Sequence, residues 1–265
     1  MLANFHTHST FCDGKNTPEE MVLAAIAQGF SALGFSGHGT TEFDLRYCMR
    51  DMPGYRQEIR RLQEKYAGQL RIFLGIEEDA FAPVERKDYD YIIGSAHYIC
   101  KGGSYYPVDS GMDYLTKAIE ACGGPMAFAE TYFRNFCDYI LRRKPDVIGH
   151  FDLITKYEEK ESELFLNREA YWEIAENYLQ KALKSGCLFE VNTGAMARGL
   201  RTMPYPHERL LRVLKKADAG VVLSADSHSA ETLDFGFEEA KALLRSVGFQ
   251  HTYTLTESGF TSVEL

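Results

Sequence analysis

Phe5-His6-Thr7-His8 ends the first short apolar run of the chain, which opens at Ala3 and reads as a β-strand over 3–6. Residues i and i+2 of a strand point to the same face, so His6 and His8 aim at one centre. Two imidazoles on one face at the mouth of a sheet suit a metal clamp better than they suit packing. The reading gains weight from what repeats downstream. Further strands are expected over 32–36, 70–76, 89–94, 146–149, 187–191 and 220–224. They end in Gly37-His38, Glu77-Glu78-Asp79, Ser95-Ala96-His97, His150, Asn192 and Asp226-Ser227-His228 respectively.

Helices are expected between these strands. Thr17-Pro18-Glu19-Glu20 is a helix start, with Thr17 as N-cap, Pro18 in the first turn and Glu20 closing a capping box. Met21, Val22, Ala25 and Ile26 follow at helical spacing, and Gly29 ends the pattern. Other helices are expected over 54–66, 113–121, 125–143, 168–184, 206–217 and 235–246. Residues 39–53 and the Gly- and Tyr-rich stretch 98–111 read as loops, and the residues around His251 as a short tail. Strand alternating with helix implies parallel pairing through right-handed crossovers. Seven such units favour an α/β barrel of the TIM type, (β/α)7, over an open sheet. In such barrels the site lies at the C-terminal ends of the strands. His6, His8, His38, Glu77, His97, His150, Asp226 and His228 all fall there. With no linker-like stretch and no internal repeat, residues 1–265 read as a single domain.

The chain has 265 residues, 45% of them hydrophobic, enough for a sizeable core. Asp and Glu number 38 against 29 Lys and Arg, which argues against a nucleic-acid or membrane-surface binder. No apolar run approaches the roughly 20 residues of a membrane helix. No basic segment followed by an apolar one marks a signal peptide, so the cytoplasm is the expected compartment. The six cysteines are scattered with no CxxC pair and read as free thiols and core fillers, with Cys12 near the proposed site.

Six of the eight histidines sit at strand ends, while His207 and His251 read as ordinary structural residues. A buried cluster of imidazoles with Glu77 and Asp226 is costly unless cations join it. Nitrogen and carboxylate donors without thiolates suit Zn, Mn or Fe. One ion uses three or four protein ligands. This set, with Asp13 just beyond the first motif, suits two or three divalent ions, one carboxylate bridging two of them. Such clusters activate water, clamp an in-line displacement at phosphorus and reverse the repulsion that carboxylates alone exert on a phosphate. Within the acidic triplet, Glu77 and Asp79 share a face and Glu78 points away. Glu77 is the expected ligand, Asp79 its support, and Asp152 a support or a loop cap.

His6-Thr7-His8, Gly37-His38, Gly75-Ile76-Glu77, Ser95-Ala96-His97, Gly149-His150 and Asp226-Ser227-His228 together resemble the successive motifs of the PHP (polymerase and histidinol phosphatase) superfamily. They run in the expected order from residue 6 to residue 228. The length, the Phe11-Cys12-Asp13 turn and Gly149-His150-Phe151-Asp152-Leu153 resemble the histidinol-phosphatase branch most. The resemblance implies a distorted (β/α)7 barrel with a trinuclear site. It assigns His6, His8, Glu77 and Asp226 to one metal, Glu77, His97 and His150 to the second, and Asp13, His38 and His228 to the third. It implies hydrolysis of the small metabolite L-histidinol phosphate to L-histidinol in histidine biosynthesis. The departing alkoxide is expected to be assisted by the third metal or by protonation from a nearby group such as the Asp226–His228 pair.

Phosphoryl oxygens also call for cationic donors. Arg198, after the sixth strand, and Lys156, after the fifth, are placed to supply them, with Arg46 a third candidate. Tyr98, Tyr105 and Tyr106 are candidate walls for an imidazole-bearing substrate. The same metals would serve a phosphotyrosine-protein or small-nucleotide phosphatase. They would equally serve a polymerase-associated exonuclease, against which the acidic balance counts, or a silent metal-binding module.

Overall fold

In a computed structural model, which describes residues 2–160 and 163–265, the apolar runs become strands separated mostly by helices. In chain order these are β1 (Ala3–Asn4), α1 (Pro18–Ala27), β2 (Ala32–Phe35), α2 (Met52–Lys65), β3 (Arg71–Asp79), β4 (Tyr91–Ser95), β5 (Tyr98–Lys101) and β6 (Ser104–Pro107). There follow α3 (Met112–Cys122), α4 (Pro125–Arg143), β7 (Val147–Ile148), α5 (Glu169–Ala182), β8 (Leu188–Asn192), α6 (Gly194–Ala197), α7 (Glu208–Lys216), β9 (Val221–Ser224), α8 (Phe237–Val247), β10 (His251–Thr256) and β11 (Gly259–Glu264). The capping box at Thr17 forms with both of its hydrogen bonds.

Seven strands pair in parallel in the order β1-β2-β3-β4-β7-β8-β9. The two edges then meet. Ser227 N donates to His6 O at 3.0 Å and His8 N to Ser227 O at 2.8 Å, making a parallel bridge between Thr7 and Ser227. Asn4 seals the same seam: its Oδ1 accepts from Ala225 N, and its Nδ2 donates to Leu233 O. The result is the expected distorted (β/α)7 barrel. Its first and last ligand motifs are hydrogen-bonded to each other.

The strand starts fill the barrel's other end. Phe5, Phe73, Tyr91, Ile93, Val147, Val222 and Leu255 form one buried cluster. Tyr91 lies across the interior and its hydroxyl donates to Phe5 O at 2.5 Å. Gly34 and Gly75 make room for it: a Cβ on Gly34 would sit 2.3 Å from the Tyr91 hydroxyl, and one on Gly75 2.2 Å from its ring. Among the described residues no helix is long and apolar enough to cross a membrane.

Two expectations need correction. The stretch 98–111 is not a plain loop: β5 and β6 form an antiparallel hairpin turning at Gly102 and Gly103, both at positive φ. The tail is likewise a hairpin, β10–β11, whose Leu255 and Phe260 pack beneath Phe5 and Tyr91. Both were masked by polar residues alternating with apolar ones, the signature of a strand with one solvated face. The strand expected over 70–76 runs on through the acidic triplet to Asp79, because Glu77, Glu78 and Asp79 pair with Ile93, Gly94 and Ser95.

Candidate metal centre

The seam that closes the barrel also aims its donors. Thr7 faces outward to bond Gly34 O, so His6 and His8 on either side of it turn inward. His6 Nε2 and His8 Nε2 lie 3.2 and 3.6 Å from Glu77 Oε2, and 3.7 and 3.1 Å from Asp226 Oδ1. Donors bound to one tetrahedral zinc at roughly 2.1 Å stand about 3.4 Å apart. His6 Nε2, His8 Nε2 and Glu77 Oε2 are all buried without a hydrogen-bond partner among the described residues. Buried polar atoms are expected to be satisfied, so three orphans facing one point fit an ion between them.

Glu77 offers its other oxygen to a second group. Its Oε1 lies 3.0 Å from His150 Nε2 and 3.3 Å from His97 Nε2. On the far side of His8, Asp13 Oδ2 lies 3.3 Å from His228 Nε2 and 3.7 Å from His38 Nε2, and Asp13 Oδ1 3.5 Å from His8 Nδ1. Three donor groups have atoms mutually within 4.8 Å: His8, Asp13, His38 and His228; His6, His8 and Glu77; and His38, Glu77 and His97. All nine expected metal ligands therefore converge on one mouth. His38 reaches both sides, since its Nδ1 is 2.9 Å from Glu77 Oε2.

The electrostatics are those of a cation site. Burial alone would depress the His6 imidazolium, but Glu190, Glu77 and Asp226 outweigh it and push its pKa up to about 10. His8 and His97 are likewise raised well above the usual histidine range despite burial, by carboxylate neighbours that include Asp13 and Asp226 for His8, and Glu77 and Asp79 for His97. At His38 burial wins, and its pKa is lowered. Burial would raise the carboxyl of Glu77, yet His6, His38 and His97 hold it well below the carboxylate range. Asp226 is held low in the same way, Arg198 being the strongest opponent of burial. Protons thus occupy the place where divalent ions would neutralise the same carboxylates.

A carboxylate that the sequence reading overlooked orients the centre. Glu190 sits on β8 with Phe189 and Val191 turned outward into the core, so its side chain points into the barrel. Its Oε1 accepts from His6 Nδ1 at 2.5 Å and from Ser224 Oγ at 2.5 Å; its Oε2 accepts from His150 N at 2.7 Å and Asn192 Nδ2 at 3.0 Å. The signal was an acid inside an otherwise apolar strand, two residues before its end.

The other expectations divide. Asp79 supports His97, with Oδ2 accepting from His97 N at 3.1 Å and lying 3.5 Å from its Nδ1. Glu78 points outward, as the alternation requires, to Arg143 and Tyr139. Asp152 caps a loop by accepting from His207 N. Cys12 Sγ lies 3.5 Å from His8 Nδ1. Asp226 adopts φ +47°, a left-handed conformation that costs a non-glycine residue about 1–2 kcal/mol. Strain of this kind concentrates at working sites.

Above the donors opens a cleft of about 590 Å³. Lys15, Arg46, Lys156 and Arg198 line it. Arg198 Nη2 donates to Asp226 Oδ2 at 3.1 Å, and its Nη1 lies 3.2 Å from His228 Nδ1. Lys156 Nζ donates to Asp109 Oδ2 and Asp109 O, both at 2.9 Å. Tyr98, Tyr105 and Tyr106 do not line the cleft, which corrects their expected role: Tyr98 bonds Asp44, and Tyr105 stacks on Phe43 at 4.0 Å. Tyr98 is buried against Phe43 and Tyr47, Tyr106 packs on the core, and Tyr47 is the tyrosine on the wall.

Residues 4–194 match the family model described as the PHP domain. The chain belongs to the PHP domain family. Among curated relatives of this PHP chain is a probable histidinol-phosphatase of Schizosaccharomyces pombe, 30% identical over 94% of this chain and 87% of its own length. Two solved structures share the fold. A putative histidinol phosphatase from Listeria monocytogenes superposes with a TM-score of 0.78 at 22% identity, covering 89% of this chain and 99% of that one. Histidinol phosphate phosphatase from Lactococcus lactis, complexed with zinc, L-histidinol and phosphate, gives 0.72 at 22% identity over 98% of each chain.

Proposed function

We propose that this PHP protein is a metal-dependent phosphomonoesterase that hydrolyses L-histidinol phosphate to L-histidinol and phosphate. The observation that carries the reading is the set of partnerless, buried donor atoms at the barrel mouth, beneath a cleft lined by guanidinium and ammonium groups. Family membership and a curated relative named as a probable histidinol-phosphatase support the same substrate. Three ions of Zn, Mn or Fe would be held, one by His6, His8, Glu77 and Asp226, one by Glu77, His97 and His150, and one by Asp13, His38 and His228. Divalent ions supply Lewis acidity toward the phosphoryl oxygens and make water a nucleophile at neutral pH.

The chain's own residues do the rest. Arg198, held by Asp226 through Nη2, presents its remaining N–H donors to a phosphoryl oxygen and stabilises the equatorial charge that grows during displacement. Lys156, which also lines the cleft, presents a second positive charge, anchored on Asp109. The Asp226–His228 pair, with His228 Nδ1 3.0 Å from Asp226 O, borders the position of the departing alkoxide, which takes its proton from water admitted to the cleft. Glu190 keeps the His6 ring in the orientation its task requires.

The test is turnover of a panel of phosphorylated metabolites that includes L-histidinol phosphate, a phosphotyrosine peptide and nucleotides. It is run after chelation and after adding back Zn, Mn or Fe singly. Preferential, chelator-sensitive hydrolysis of L-histidinol phosphate is expected. Metal-loaded protein that releases phosphate from no phosphomonoester would refute the reading.

A further inference from the structure

The cleft contains an acid that belongs to none of the proposed ion sites. Of the carboxylates lining it, Asp13, Glu77 and Asp226 belong to the proposed ligand sets, and Asp109 does not. An anion there weakens the attraction of the site for a phosphate dianion, so its presence calls for another use. Asp109 sits in the connection from β6 to α3. The backbone there is fixed: Val108 N donates to His97 O at 2.9 Å, and Asp109 O accepts from Tyr157 Oη at 2.6 Å. Lys156 takes only Oδ2 and the main-chain oxygen of Asp109. Oδ1 has no hydrogen bond among the described residues and belongs to a side chain 22% exposed on the cleft wall. Asp109 lines the same cleft as His97 and His150, the proposed ligands of one ion.

We infer that Asp109 is a specificity residue whose free carboxylate oxygen reads a cationic group on the carbon next to the ester carbon of the substrate, as in a 2-amino alcohol phosphate. The inference rests on the proposed function and deepens it. The ammonium of such a substrate is tethered one carbon from the ester, so it must fall beside the phosphate subsite, where Asp109 lies. Lys156 and Asp109 then form a dipolar pair matched to a dipolar substrate, Lys156 toward the phosphate and Asp109 toward the ammonium. A phosphomonoester without that cation would gain Lys156 and lose nothing but the second contact. The site would therefore discriminate between esters through an unpaired carboxylate, which is a strong form of selectivity.

The experiment is a cycle of two proteins and two substrates. Wild type and Asp109→Asn are assayed on L-histidinol phosphate and on its desamino analogue, which keeps the imidazole and the phosphate. The wild type is expected to prefer the amine by about 10- to 100-fold in kcat/KM, the range for a hydrogen bond between charged groups. Asp109→Asn should bring that ratio close to one while metal content stays at the wild-type level, and Asp109→Glu should restore part of the preference. A wild type indifferent to the ammonium overturns the inference without any variant. An equal loss on both substrates in Asp109→Asn also overturns it, and reduces Asp109 to an anchor for Lys156. If the wild type ignores L-histidinol phosphate while hydrolysing other phosphomonoesters, the functional reading fails separately. The comparison is then made with O-phosphoethanolamine and ethyl phosphate, where a ratio untouched by Asp109→Asn overturns the inference as well.

Discussion

His6 Nδ1 lies 2.5 Å from Glu190 Oε1, both side chains fully buried, and this contact fixes which ring nitrogen faces the barrel mouth. With Nδ1 committed to Glu190, Nε2 is the atom left for a cation. Glu190→Gln keeps the shape and removes the charge. It is expected to weaken metal binding about 10- to 100-fold. Chelator-competition titration of the refilled protein measures this directly. Unchanged affinity would mean that the His6 ring is oriented by packing alone.

The same cluster sets a pH dependence that differs between the metal-free and metal-loaded protein. In the metal-free chain His6 titrates at about 10, against 6.5 for an ordinary histidine. A raised folded-state pKa contributes stability that is complete below 6.5 and lost as pH rises through about 10. The metal-free protein should therefore lose thermal stability between those limits, and the metal-loaded protein should not, because its imidazoles are already neutral ligands. Melting curves of both forms across that range decide it, and parallel curves would contradict the assignment.

Proton displacement gives a second reading of the same cluster. His6, His8 and His97 hold protons near neutrality, and cations must expel them to bind. Metal uptake near pH 7 should release protons, and apparent affinity should climb with pH. Calorimetry in buffers of different ionisation enthalpy counts the protons. Uptake with no release would place the ions elsewhere.

Inside the barrel, Gly75 exists for Tyr91. A Cβ at Gly75 would meet the ring at 2.2 Å, and Tyr91 is pinned through its hydroxyl to Phe5 O. Gly75→Ala should destabilise the fold by about 1–3 kcal/mol or more, the usual cost of overpacking. At about 2–4 °C per kcal/mol for a chain of this size, the shift is readable in a melting curve. Adding Tyr91→Leu should recover part of it, since the clash is with that ring; an additive loss would locate the strain elsewhere.

These residues show why some of the molecule was legible from sequence and some was not. Strand ends marked by His38, His97 and His150 were readable because an apolar run and a ligand-type residue coincide in the chain. The barrel closure was less so, because β1 and β7 each make only two residues of regular strand and lean on side-chain bonds such as those of Asn4. Glu190 was missed because its only local mark is an acid between apolar strand residues, and the partners that give it a role, His6 and Ser224, are 184 and 34 residues away. The two hairpins were missed because their solvated faces imitate loops. Asp109 was unreadable for the same reason, since its significance comes from Lys156, brought across 47 residues of chain.

Arg198 carries the sharpest functional prediction. Its guanidinium is already held by Asp226 Oδ2 and faces His228 Nδ1, so it is pre-oriented over two of the three proposed ion sites. The cradle is tight: a Cβ on Gly194 would come within 2.8 Å of Asp226 and 3.0 Å of Arg198 Nη2. A donor fixed before the substrate arrives loses little entropy in use and acts where charge accumulates. Arg198→Met is expected to lower kcat/KM by about 10²–10³, the range for removing one pre-organised transition-state donor. Arg198→Lys should recover little, because a point charge cannot reproduce the fork that spans Asp226 and a phosphoryl group. Metal content measured on the same samples separates the two ways of losing activity. Full occupancy with lost turnover assigns Arg198 to the phosphoryl group, whereas lost metal would show that its main effect is to hold Asp226 in its left-handed, ion-facing conformation.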